Sequence, residues 1–201
     1  MDEGFASLPK APAEDPLEPL ICRIRAGELE AFEDLLARTE TRILALSWRI
    51  LGDRHLAEDA AQETYLRVFR SLHTFRLGEC FEAWLIRIAV NVCFDLARKR
   101  GPLPLPMDTL DVLEGDAAPM GAEDAVLLRQ RRALVRKAVA QLPPSERAAL
   151  VLHDLEGLST EEVARILGVR PVTIRSQVSA ARAKLQTMCA RLLKPPHGGR
   201  P

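Results

Sequence analysis

Apolar side chains recur along this chain at three- and four-residue intervals, and no segment alternates strictly, so the pattern predicts helices throughout and no strands. Leu17, Leu20, Ile21 and Ile24 begin a short helix that Gly27 breaks. Phe32, Leu35, Leu36, Ile43, Leu46, Ile50 and Leu51 carry a second as far as Gly52. Asp53 stands as N-cap of a third, running to about Leu72, with Leu56, Ala61, Tyr65, Val68, Phe69 and Leu72 on its apolar side. Residues 73–79 break the period and predict a loop. Residues 80–100 resume it, with Phe81, Leu85, Ile88, Val92 and Leu96 as one buried stripe. From residue 125 a further helix turns Leu128, Val135, Ala138 and Leu142 inward until Pro143-Pro144 stops it. Residues 145–155 form another, ended by Gly157.

Two short helices joined by a tight turn follow. Ser159 with Glu162 three residues on is a capping box, and Val163, Ile166 and Leu167 give the first helix its apolar face. Gly168 takes the left-handed stop, where a Cβ costs about 1–2 kcal/mol. Pro171 suits the first turn of the next helix. Ile174, Val178, Ala181 and Leu185 are the buried stripe there. Thr173, Arg175, Ser176, Gln177, Ser179 and Arg182 point outward, with Arg170 at the turn. Side chains of these types bond phosphates and base edges in a major groove. An ordinary helical pair with a solvated basic face has the same spacing. Charge tilts the choice. Residues 157–194 hold the acids Glu161 and Glu162 against Arg165, Arg170, Arg175, Arg182, Lys184, Arg191 and Lys194, which offers a docking face to a polyanion.

Composition changes the picture only through distribution. The 201 residues suit one large or two small domains, and 28 Lys and Arg balance 28 Asp and Glu. Residues 1–16, with three prolines and several acids, are expected to be a disordered lead-in. Residues 101–124 carry Asp108, Asp111, Glu114, Asp116, Glu123 and Asp124, several prolines and no Lys or Arg. They predict a flexible acidic linker between two helical domains, 17–100 and 125–194, with a tail at 195–201. The fold class is therefore all-α. No apolar run is long enough for a membrane span, and the N-terminus lacks a basic-then-apolar signal, so a cytoplasmic protein is expected. Cys22, Cys80, Cys93 and Cys189 are scattered and read as core thiols rather than metal ligands. There is no phosphate-cradling glycine loop and no nucleophile-base constellation, so neither an enzyme, a cofactor nor a metal is expected.

Two more surfaces carry chemistry. The third helix turns Asp59, Gln62, Glu63, Arg67 and Arg70 away from its apolar side; a solvated face with Glu63–Arg67 pairing and a partner-docking face fit equally. The fourth lines up Trp84, Arg87, Asn91 and Arg98, a set suited to a strand with unstacked bases, although Trp84 fits the core as well. Every aromatic except Phe5 falls in residues 18–94, so the first domain can stack bases and the second must read a duplex.

Together these parts resemble a known family. Ala57 to Arg70, with Glu58-Asp59-Ala60-Ala61-Gln62-Glu63-Thr64, is similar to the second conserved region of bacterial RNA polymerase sigma factors. The run from Phe81 to Arg100 resembles their promoter-melting, −10-reading helix. Leu142-Pro143-Pro144-Ser145-Glu146-Arg147, then Gly157-Leu158-Ser159 and the helix pair, resembles the fourth region, which reads the −35 element. Two domains joined directly, matching over about residues 18–190, look like the extracytoplasmic-function (ECF) group of the sigma-70 family. The resemblance implies that Asp59, Gln62 and Glu63 meet the clamp helices of the polymerase β′ subunit. It implies that the 73–79 loop, with Phe75, and Trp84, Arg87, Asn91 and Arg98 hold the non-template −10 strand. Arg170, Thr173, Arg175, Ser176, Ser179 and Arg182 would meet the −35 duplex, on a helix that departs from many members by carrying Gln177, Ser179 and Ala180 where they have bases. The implied partners are core RNA polymerase through β′ and β, promoter DNA, and an anti-sigma factor where one exists. A helix-turn-helix regulator that never joins polymerase leaves 57–70 and 81–100 unexplained. A helical adaptor leaves the basic helix unexplained.

Overall fold

The computed structural model describes residues 15–100 and 133–192, and every regular element among them is helical. The lead-in up to residue 14, the acidic stretch 101–124, Leu128 and the tail 195–201 lie outside the described residues. The first bundle comprises α1 (Glu18–Arg25), α2 (Leu29–Leu51), α3 (Arg54–Ser71) and α4 (Phe81–Arg100). The second comprises α5 (133–140), α6 (Pro144–Leu150), α7 (Thr160–Leu167) and α8 (Pro171–Leu192).

The punctuation residues act as their chemistry requires. Gly52 ends α2 at φ 71° while its N–H donates to the Trp48 carbonyl, and the Asp53 carboxylate then accepts from the Leu56 N–H at 3.0 Å to start α3. Asp15, at the end of the expected lead-in, belongs to the fold instead. Its two oxygens accept from the N–H groups of Leu17 at 2.9 Å and Phe81 at 3.4 Å, so one carboxylate holds the starts of α1 and α4 together. Ile21, Leu35, Ile43, Leu46, Val68 and Phe81 are fully enclosed, each such side chain contributing about 1.5–3 kcal/mol.

Several positions differ from the periodic reading. Phe69 is 53% exposed and Val135 48%, so neither is inward. Cys22 is exposed, whereas Cys93 is a core thiol whose pKa burial pushes up to about 12. On α4, burial extends beyond one stripe to Ala83, Trp84, Ile86, Ala89 and Val90, because α2, α3 and α7 all pack on this helix. The expected helix over 145–155 is two pieces: α6, then a π turn at Val151–Leu155 closed by the Glu156 N–H on the Val151 carbonyl at 3.0 Å.

The two bundles touch. Buried apolar residues of both form one continuous cluster, with α6 and the π turn against α2 and α7 against α4.

Candidate nucleic-acid interface

The helix pair forms as its sequence dictates. The Ser159 hydroxyl accepts from the Glu162 N–H at 3.2 Å while the Glu162 carboxylate accepts from the Ser159 N–H at 2.8 Å, and Gly168 closes α7 at φ 66°. Ile174, Val178 and Ala181 bury one side of α8. That leaves Arg170, Arg175, Ser176, Ser179 and Arg182 exposed and Thr173 half-buried, so the six expected −35 residues share one accessible side of the motif. Arg182 pairs with Asp154, and Lys184 reaches Glu146 at 2.6 Å, which ties α8 to α6. At the turn Val172 is 61% exposed.

The expected −10 residues divide. Asn91 and Arg98 are exposed. Arg87 is half-buried in a cleft of about 700 Å³ shared with Glu161, Arg165, Arg170 and Thr173. Burial holds its pKa below the usual arginine value, against the opposing pull of Glu79. Phe75 and Trp84 lie in the core. Their rings stand 5.4 Å apart and both pack on Phe81, at 5.3 and 5.6 Å. The Arg25 guanidinium donates to the carbonyls of Leu72, at 2.8 Å, and Phe75, which fixes the start of the loop and turns the Phe75 ring inward. In this arrangement neither ring presents a face to a base, and the choice that the sequence left open for Trp84 falls to the core. His73, Thr74, Arg76 and Leu77 are the exposed groups of the loop.

On α3, Asp59 and Gln62 are exposed and Glu63 is half-buried. Arg67 bonds Glu63 at 2.9 Å and Asp95 of α4 at 3.0 Å, so the α3 face is linked to the helix that carries Arg98. The same side of α3 continues through Leu66, 50% exposed, to Phe69, whose edge meets Phe32 of α2 at 5.3 Å. Sequence reasoning passed over Leu66 and put Phe69 inside. The signal was the spacing from Asp59, since positions +3, +4, +7 and +10 lie along one face.

Comparison with known proteins decides what these surfaces belong to. Residues 35–102 match the family described as Sigma-70 region 2, and residues 132–185 match Sigma-70, region 4. The RNA polymerase sigma-H factor of Pseudomonas aeruginosa is 33% identical over 88% of this chain and 95% of its own length.

The chain belongs to the sigma-70 family, in its ECF group.

The ECF RNA polymerase sigma factor SigE of Mycolicibacterium smegmatis is 37% identical over 81% of this chain, which spans 63% of that protein. Among solved structures, CnrH in complex with the cytosolic domain of CnrY matches with a TM-score of 0.63 and 26% identity, over 88% of this chain and 99% of the other. No helix among the described residues of this sigma factor is long and apolar enough to cross a membrane.

Proposed function

We propose a division of labour by which this sigma factor directs promoter-specific initiation: α3 docks on core polymerase, α4 and the preceding loop hold the opened −10 strand, and α8 reads the −35 duplex. The protein acts in the cytoplasm, without catalysis of its own. The observation that carries the reading is the separation of faces. Asp59, Gln62 and Glu63 with Leu66 and Phe69 form a mixed acidic and apolar stripe suited to a helical protein partner, while the exposed Arg175, Ser176, Ser179 and Arg182 of α8 are basic or hydroxylic.

Of the expected −10 residues on α4, Asn91 and Arg98 are accessible and Arg87 lines the cleft half-buried. Phe75 and Trp84 support the loop from beneath. Capture of extruded bases then falls to the loop and the exposed polar line, at a cost of a few kcal/mol per base that contacts with polymerase and DNA must offset. An anti-sigma protein is a further partner in this reading.

Reconstitution tests it. Core polymerase with the purified chain should give run-off transcripts from a matching promoter, and Asp59→Ala/Glu63→Ala should lose both transcripts and core binding. Transcription unchanged by the chain's addition sinks the proposal. The α3 stripe also separates this reading from a helix-turn-helix regulator, which has no use for a core-binding face.

A further inference from the structure

The 73–79 loop is shaped from outside its own sequence, by α1 and the residue that leads into it. Arg25 is the last residue of α1 and lies 47 and 50 positions upstream of the two carbonyls it spans. Its guanidinium donates to Leu72 at 2.8 Å and to Phe75. The Leu72 carbonyl also accepts from the Phe75 N–H at 3.2 Å, which closes the single helical turn Leu72–Thr74. At the far end Asp15, just before α1, accepts from the N–H of Phe81, on which α4 begins. Between these anchors the Phe75 ring packs on Phe81 and Trp84, and the Thr74 hydroxyl donates to the Ser71 carbonyl at 2.7 Å. The Glu79 N–H donates to the Arg76 carbonyl at 3.2 Å across Gly78, which stands at φ 86°.

The loop therefore has a set inner side, while His73, Arg76 and Leu77 stand outward. A loop that orders itself only on contact loses the same backbone entropy for a right base as for a wrong one. It also re-forms around either. A loop already in place discriminates, because a base that does not fit meets groups that do not move towards it. Among the anchors Arg25 is the dedicated one. Asp15 also caps α1 through the Leu17 N–H at 2.9 Å, and the three rings belong to the core. The hydrogen bonds of the exposed Arg25 side chain among the described residues all go to Leu72 and Phe75. Its planar fork is what lets one side chain hold two carbonyls; a lysine ammonium is a point charge on a flexible stem and grips less rigidly.

We propose that Arg25 is a positioning residue for promoter selectivity: by tying the Leu72 and Phe75 carbonyls to α1 it presets the 73–79 loop, so that the outward His73, Arg76 and Leu77 discriminate between bases of the −10 box. The selectivity rests on the reading of this loop as part of the −10 grip; the preset loop itself does not.

Two measurements test it, with near-ultraviolet circular dichroism confirming that each variant is folded. The first is trypsin cleavage of the full chain between Arg76 and Leu77, read by mass spectrometry. Arg25→Ala should be cut there about tenfold faster than wild type, because cleavage follows the population of the opened loop, and Arg25→Lys should fall between them. A rate equal to wild type overturns the preset loop. The second is run-off transcription by holoenzyme reconstituted with core polymerase, from a matching promoter and from promoters with one base changed in the −10 or the −35 box. Arg25→Ala should shrink the −10 discrimination ratio about tenfold, within what one base of a site is usually worth. It should leave the −35 ratio at the wild-type value, and Arg25→Lys should restore part of the −10 ratio. Loss of transcript in equal proportion on every promoter gives Arg25 a structural part alone and overturns its role in selectivity. The double variant Arg76→Ala/Leu77→Ala reports on the reading beneath. If it shifts the −10 ratio and Arg25→Ala does not, the positioning role falls and the −10 grip of the loop stands. If neither shifts it, the loop does not meet the −10 strand, and the selectivity proposal falls with that reading.

Discussion

Arg182 and Asp154 meet through two parallel hydrogen bonds, Nε to Oδ2 at 2.9 Å and Nη2 to Oδ1 at 2.6 Å. One residue belongs to the proposed −35 helix and the other to the π turn packed behind it. The fold therefore already neutralises one of the arginines proposed to meet DNA, whereas Arg175 has no carboxylate partner among the described residues. Arg175→Ala should lower the salt slope of −35 binding by about one unit. Arg182→Ala should lower it by less, and Asp154→Asn should steepen it by releasing Arg182. Titration of a −35 duplex at several salt concentrations checks the order, and equal slopes for both arginine variants refute it.

The same pair makes a pH prediction. Asp154 is held below the usual carboxylate range chiefly by the hydrogen bond from Arg182, against burial and with help from His153. Asp95 is lowered likewise by Arg67 and then Arg98. A carboxylate depressed in the folded state adds stability that is complete above its unfolded pKa, near about 4, and is lost as pH falls through the folded value. Wild type should lose melting temperature more steeply than Asp95→Asn or Asp154→Asn below about pH 4. Parallel curves would remove the linkage.

Trp84 sits 8% exposed among Phe75 and Phe81. Trp84→Ala should cost about 3–5 kcal/mol of stability, and Trp84→Phe distinctly less. Urea unfolding of both measures it. If Trp84→Ala unfolds at the wild-type midpoint, the ring is not the support described here.

Trp84 also marks where the sequence stopped being legible. Local rules were sufficient for the helix ends: Asp53, Ser159 with Glu162, and the left-handed Gly52 and Gly168 follow from short-range hydrogen bonding and sterics. They were sufficient for the inward stripe of α8, because only one side of that helix is covered. They failed on α4, where three helices pack around one and a single period no longer separates inside from outside. Phe69 failed for the opposite reason, an apolar residue left half open beside a proposed docking face. The contacts of Arg147 with the Ile50 carbonyl and of Glu156 with Arg42 and Arg49, all on α2, join residues about a hundred positions apart and leave no periodic trace. Their one sequence hint is the unbroken small and apolar run Ala148-Ala149-Leu150-Val151-Leu152, too wide for a helix covered on one side.

Leu66 and Phe69 extend the proposed polymerase face by two turns of α3. Leu66→Ser should leave stability within about 0.5 kcal/mol, as is usual for an exposed site. It should nevertheless weaken core binding by roughly tenfold, the cost of losing an apolar anchor worth about 1–2 kcal/mol. Phe69→Ser should do the same and also loosen Phe32. Competition for core polymerase against wild type measures both. Unchanged affinity for Leu66→Ser confines the docking face to the acidic turn around Asp59, Gln62 and Glu63.

Tyr65 is the chain's one tyrosine, so tyrosinate absorbance reports it alone. Thr39 donates its hydroxyl proton to the Leu35 carbonyl at 2.7 Å, which leaves the Thr39 oxygen to accept from the Tyr65 hydroxyl at 2.8 Å. Tyr65 must keep its proton to make that bond. Burial raises its pKa to about 12, more than the Thr39 contact lowers it. Because the folded value lies above the unfolded one, near about 10, the contribution to stability is complete below about pH 10 and is lost as pH rises through the folded value. Absorbance should therefore titrate near 12 in folded protein and near 10 in denaturant, and Tyr65→Phe should abolish the alkaline loss of melting temperature in that window. Titration of the folded chain at the denatured value would show that the α2–α3 contact does not enclose the ring.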